Sequence, residues 1–167
     1  MFGLTPLGTI HTAISLVALA AGAWALLRDK AILPGTTLGR VYIWATVLTC
    51  LTGFGIFQHG GFGPPHVLGI VTLLVLGVAT VARRWFGRAG PYVETLAYSL
   101  TFFFHFIPGV NETFTRVPLG APLFSGPDDP ALQKVVGVLF VVYLIGAGLQ
   151  VWRLRAGRGA AGAVRLT

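Results

Sequence analysis

Charge is so sparse in this chain, and so clustered, that long stretches of it cannot form a surface against water. Asp, Glu, Lys and Arg make up 10% of the residues, where a soluble domain carries roughly 25%. Between the charges lie five apolar runs, near 9–27, 41–59, 65–82, 93–110 and 135–152. Each is about as long as the ~18 residues that a helix needs to cross the hydrocarbon core of a bilayer. The breaks between them are rich in Pro, Gly and charge: Arg28 to Arg40, His59 to Pro65, Arg83 to Pro91, and Pro108 to Lys134. Disorder is excluded, because disordered chains are poor in apolar residues and this one is 54% hydrophobic. The expectation is a single all-α membrane domain over residues 1–167, with five transmembrane helices.

Ten of the twelve basic residues fall on one side of such a five-span arrangement. With the N-terminus outside, Arg28, Lys30, Arg40, Arg83, Arg84, Arg88, Arg153, Arg155, Arg158 and Arg165 are cytoplasmic, and only Arg116 and Lys134 are outside. Counting Asp29 and Glu94 inside, and Glu112, Asp128 and Asp129 outside, gives +8 and −1, the net +7 of the chain. The basic excess is thus a positive-inside bias, and no nucleic acid is expected as a partner. Trp24, Trp44, Trp85 and Trp152 all fall at the cytoplasmic ends of the runs, where an interfacial belt belongs. No Lys or Arg precedes the first run, so it reads as a retained helix and not as a cleaved signal. In a bacterium the compartment would be the inner membrane, with residues 153–167 as a basic cytoplasmic tail.

The first two runs resemble the next two. Each pair opens with Pro and then His (Pro6 to His11, Pro65-His66), and an Arg follows that His by seventeen residues, at Arg28 and Arg83. A second His lies near the far end of each pair, His59 and His105. Two such up–down hairpins pack into a four-helix bundle, with the fifth helix beside it or closing it.

The histidines share a depth. At ~1.5 Å per residue, His11, His59 and His66 lie roughly 25–28 Å from the cytoplasmic charges, and His105 roughly 21 Å from Pro91. All four therefore belong to the outer third of the membrane, where ionisable groups face the protein interior and mark function. Imidazole is the commonest metal ligand and suits Zn, Cu and Fe. His11, His59, His66 and His105 are accordingly candidate ligands for a transition-metal ion, or axial ligands for haem b. Cys50, the lone cysteine, excludes an internal disulfide, an iron–sulfur cluster and a thiolate zinc knot.

The fourth run carries a polar stripe. Glu94, Tyr98, Thr101, His105 and, past Pro108, Glu112 recur at spacings of four, three, four and seven, one face of a helix. Glu94, Tyr98 and Thr101 form a candidate proton path towards His105, with interhelical hydrogen bonding as the alternative role. Glu112 is a candidate catalytic base or oxygen ligand. Tyr143, Gly146 and Gln150 make a shorter packing face on the fifth run, and Gly22, Gly53, Gly55, Gly69 and Gly77 are sites of close helix approach. The segment 109–134 forms the outer loop, too apolar for a free linker and expected to fold back over the outer mouth. Its Arg116 is placed to bind an anion or a haem propionate, or to pair with Glu112.

His11, the Gly39-Arg40-Val41-Tyr42 that opens the second run, and the His66-Val67-Leu68 that opens the third together resemble a bacterial family of small predicted polytopic membrane proteins with a domain of unknown function. The resemblance covers about the first hundred residues. A His-Arg pair usual before the Gly-Arg is replaced here by Gly35-Thr-Thr-Leu38. The resemblance implies the span count and nothing about chemistry.

Three functions are compatible with these residues. The first is a histidine-rich metal or haem b site at the outer, periplasmic face with a redox or metal-handling role. The second is a zinc-dependent hydrolase acting on lipid, with three His on the metal and Glu112 as base. The third is a non-catalytic accessory subunit or small carrier. The expected partners are the lipid bilayer and a homo-oligomer or larger membrane complex.

Overall fold

A computed structural model describes residues 5–57, 61–116 and 121–164. Its long elements are α1 (Pro6–Asp29), α2 (Thr37–Gly53), α3 (Pro64–Trp85), α4 (Gly90–Phe114) and α5 (Pro130–Val164), and a 3-10 turn over Gly87–Ala89 joins α3 to α4. The described residues contain no strand. Three helices are long and apolar enough to cross a membrane: α1, α3, and α5 over Pro130–Gly157. The 17-residue α2 is shorter, and α4 carries the polar stripe along its 25 residues.

Local chemistry sets the helix starts. The Thr5 hydroxyl accepts the Gly8 N–H at 3.1 Å and Pro6 takes the first helical position of α1; the Thr36 hydroxyl does the same for the Gly39 N–H of α2 at 3.0 Å. Such caps satisfy backbone donors that the first turn leaves without partners. At the start of α5, Asp129 accepts the Ala131 N–H at 2.8 Å and the Ser125 N–H at 2.9 Å. These bonds, with that from the Ser125 backbone foremost, hold its carboxyl below the usual aspartate range.

Three boundaries differ from the hydropathy pattern, each for a physical reason. The second run, expected to 59, ends as helix at Gly53, where Gly53-Phe54-Gly55 gives the backbone two poor helix formers in three residues and the chain turns. The fourth passes through Pro108 and stays helical to Phe114, so the expected outer loop 109–134 begins inside α4 and shortens to 115–129. Within that loop the Phe124 N–H donates to the Phe114 carbonyl at 3.1 Å and the two rings meet edge-on, which brings the chain back onto the end of α4. The fifth continues past Trp152 to Val164, turning most of the expected tail into helix. Arg and Ala are strong helix formers; charge ends an apolar run without ending a helix.

The helices pack as two antiparallel hairpins, α1 along α2 and α3 along α4. The hairpins meet where α2 touches α3 and, more sparsely, where α1 touches α4, while α5 lies against α4. Gln150 ties α5 in at two places. Its Oε1 accepts the Ser99 hydroxyl of α4 and its Nε2 donates to the Lys30 carbonyl in the α1–α2 turn, both at 3.0 Å.

The interior is built of small and polar residues: Ala18, Ala21, Ala25, Ala79 and Ala82 are buried, with Tyr42 and Tyr98 the largest side chains among them. Large apolar side chains, the four Trp included, point outward. Close approach at the centre depends on Gly22, where an added Cβ would lie 2.6 Å from the Phe102 ring and 2.9 Å from that of Tyr42. Gly77, expected at a contact, faces open space. Gly22→Val should therefore lower stability in detergent by about 1–3 kcal/mol, the usual cost of overpacking, while Gly77→Ala, which meets open space and gains helix propensity, leaves the thermal midpoint unchanged or raised. Equal midpoints for the two variants would show that α1 does not pack as described.

Candidate functional site

Hydroxyl and imidazole groups from α1, α2 and α4 meet inside these helices. At one end the His11 ring of α1 lies against the end of α2, with Nδ1 at 3.1 Å from Thr52 Oγ1. The Thr52 hydroxyl spends its one proton on the carbonyl of Leu48 (2.8 Å) or of Thr49 (3.1 Å). With that proton on a carbonyl its oxygen accepts from His11 Nδ1–H, and Nε2 is then the accepting nitrogen. The missing side chain of Gly53 makes room for this ring: a Cβ there would be 3.2 Å from His11 Cε1.

His105 of α4 is 7% exposed, and its Nε2 lies 3.0 Å from the Thr46 hydroxyl of α2. Thr46 lies within electrostatic reach of Tyr42, one turn earlier on α2, and the Tyr42 hydroxyl lies 2.8 Å from Thr101 Oγ1 of α4. Thr101 donates to the Tyr98 carbonyl at 2.8 Å. A carbonyl only accepts, and with the Thr101 proton on it one order of donation follows along the chain. Thr101 gives its proton to Tyr98 O, Tyr42 gives to Thr101, Thr46 gives to Tyr42, and His105 Nε2–H gives to Thr46. His105 Nδ1 is left as the accepting nitrogen. Tyr42, Thr46, Tyr98 and Thr101 have no exposure at all.

Both ends of this chain run towards carboxylates. His11 interacts electrostatically with His105 and with Glu112. Glu112 is held by Arg116 in an ion pair of 2.5 Å, the pairing foreseen as one of the roles of Arg116. At the opposite end Glu94 is buried, and Arg83 Nε donates to both of its oxygens at 2.8 Å. Tyr98 interacts electrostatically with Glu94, while its own hydroxyl is buried without a hydrogen-bond partner.

The structure thus brings together His11 and His105 of the four expected ligands, and joins Thr101 and His105 of the expected stripe by way of α2. His66 has a local role. It stacks between Phe57 and Phe62, with ring centroids at 5.0 and 5.1 Å, and its Nδ1 accepts the Gly63 N–H at the start of α3 at 3.2 Å. His59 lies outside the described residues. Among the described residues no three His, Cys, Asp or Glu side chains form a group able to hold a metal ion. The Tyr42 ring meets the His105 ring edge-on at 6.1 Å.

Tyr42 and Thr46 are participants that the sequence reading passed over. Their signal was the one used on α4: Tyr42, Thr46 and Thr49 recur at four and three residues, a polar face on an apolar helix. Scans against family models, curated proteins and solved structures find no match to this chain.

The chain of donation makes Tyr42 and Thr101 a coupled pair. Thr101→Val should cost about 1–3 kcal/mol, because it strands a buried Tyr42 hydroxyl. Adding Tyr42→Phe should restore part of that loss, with a coupling energy on the order of 0.5–3 kcal/mol in a double-mutant cycle of unfolding in detergent. Strict additivity would show that the two hydroxyls are not bonded.

Proposed function

We propose that the protein crosses the membrane five times with its N-terminus outside, and that it is a small proton-handling carrier or subunit of a larger membrane complex. The observation that carries this reading is the file of buried polar groups from His105 through Thr46 and Tyr42 to Thr101, of which the last three have no exposure. Ionisable groups held inside spans and linked by hydrogen bonds are the material of proton relays. The 10-to-2 division of basic residues supports the orientation, which puts the histidines at the outer side and Arg83 and Glu94 at the inner side.

In this reading a proton from outside reaches His105 Nδ1, directly or by way of His11 Nε2. His105 then releases its Nε2 proton to Thr46. Each hydroxyl passes its own proton on and takes one from its neighbour, so no group gains or loses charge after a full turn. Thr101 then turns its hydroxyl from the Tyr98 carbonyl to a water bonded to the partnerless Tyr98 hydroxyl; the water carries the proton towards Glu94, whose pairing with Arg83 opens as it is protonated. Glu112, held by Arg116, acts here as an outer electrostatic anchor for protonated imidazole and not as a hydrolytic base.

Two measurements test the reading. A reporter fused after Thr167 should be active only in the cytoplasm; an exported reporter would reverse the direction of the path. Purified protein in vesicles carrying an internal pH dye should pass protons under a potassium diffusion potential. Tyr42→Phe and Glu94→Gln should each slow that flux roughly a hundredfold, the scale of losing one positioned proton-transfer group. Folded wild-type protein with no flux above that of empty vesicles would overturn it. A stoichiometric transition metal or a Soret band in the same preparation would instead return His11 and His105 to the role of ligands.

A further inference from the structure

A groove of about 540 Å³ runs along the outside of the α1–α2 hairpin, away from the buried polar chain. One wall is a single face of α2, Thr37, Arg40, Trp44, Ala45 and Leu48, and Val17 of α1 belongs to the other. These residues of α2 are ordered by depth. The cation and hydroxyl stand at the mouth, the indole lies one turn further in at about 6 Å, and Leu48 lies at about 12 Å. The floor is small and apolar at Ala45. Trp44 and Leu48 are exposed, so nothing within the chain fills the groove. Arg40 has no acidic partner among the described residues; its guanidinium makes one long bond, 3.4 Å, to the Thr37 hydroxyl. The other cations of this turn are committed, Arg28 to Asp29 at 2.8 Å and Lys30 to the Leu27 carbonyl.

We infer that this groove is a binding site for one anionic glycerophospholipid of the inner leaflet. Its phosphate meets Arg40 and Thr37, its glycerol esters lie at Trp44, and an acyl chain lies over Ala45 against Leu48 and Val17. Charge complementarity selects this occupant. A second protein copy would leave the Arg40 guanidinium without an anion in the interface, whereas a lipid phosphate supplies one beside an apolar slot. The inference rests on the five-span reading above in two respects, that α2 lies in lipid and that its Arg40 end faces inward.

Protein purified in a mild detergent from membranes containing both phosphatidylglycerol and phosphatidylcholine should retain phosphatidylglycerol preferentially in native mass spectrometry. Arg40→Gln should weaken that preference about fivefold, the effect of one basic residue on an anionic lipid. Ala45→Phe, which fills the floor and keeps the charge, should reduce retention of both lipids. Arg84→Gln, exposed at the same end of the chain but outside the groove, should match the wild type. Equal retention of the two lipids by the wild type, an unchanged ratio in Arg40→Gln, or a dimer in place of the lipid adduct would each overturn the assignment. Leu48→Cys separates this from failure of the five-span reading. In vesicles it should resist a water-soluble maleimide, and its labelling would place α2 in water and remove both the span and the groove.

Discussion

Thr101 has one hydroxyl proton and gives it to the Tyr98 carbonyl within its own helix. That local bond orients the rest of the buried chain, because every hydroxyl after it has one proton to give and one neighbour already committed. α2 and α4 belong to different hairpins, and the bonds Tyr42–Thr101 and Thr46–His105 are directional links across that junction. In an interior without bulk water, leaving any of these groups unmade costs the full desolvation of a polar atom. The relative register of the two hairpins is therefore specified by hydroxyls and not by the shape of large side chains.

The packing follows from the same economy of space. Ala18, Ala21, Ala25 and Gly22 on α1, and Ala79 and Ala82 on α3, let backbones come close enough for short side chains such as Thr to reach across. Leu16, Leu27, Trp44, Leu74 and Ile145 are turned outward, the reverse of a water-soluble protein, where burial of such groups drives folding. Association through small residues and interhelical hydrogen bonds is what remains when lipid offers apolar surface as good as the protein's own.

The helices were legible in the sequence because apolar runs long enough to span a membrane leave little choice of structure. Their ends were less so, since hydropathy and helicity stop for different reasons. The Arg-rich end of α5 stays helical, Pro108 interrupts nothing, and the glycines at 53 and 55 end α2 inside an apolar stretch. At the site, shared depth and the stripe on α4 pointed to His11, His105 and Thr101; the structure places the last two in the polar chain and His11 beside it, against Thr52. Depth alone did not separate His66, whose spacing to Arg83 matches that of His11 to Arg28, yet whose ring serves the start of its own helix. Tyr42 and Thr46 were hidden for another reason: α2 lacks a charged residue in that stretch, so its polar face carried no ionisable group to draw notice.

Gln150 has a consequence for the order in which the chain assembles. Its amide bonds Ser99 on the second hairpin and the Lys30 carbonyl at the turn of the first, so neither bond partner alone satisfies it. α5 also leaves the ribosome after α1 to α4. When it arrives, both halves of its amide find partners only where the two hairpins already stand side by side. A single side chain on α5 thereby senses whether the preceding four helices have met, and a chain with misjoined hairpins would hold α5 by packing against α4 only, open to membrane quality control.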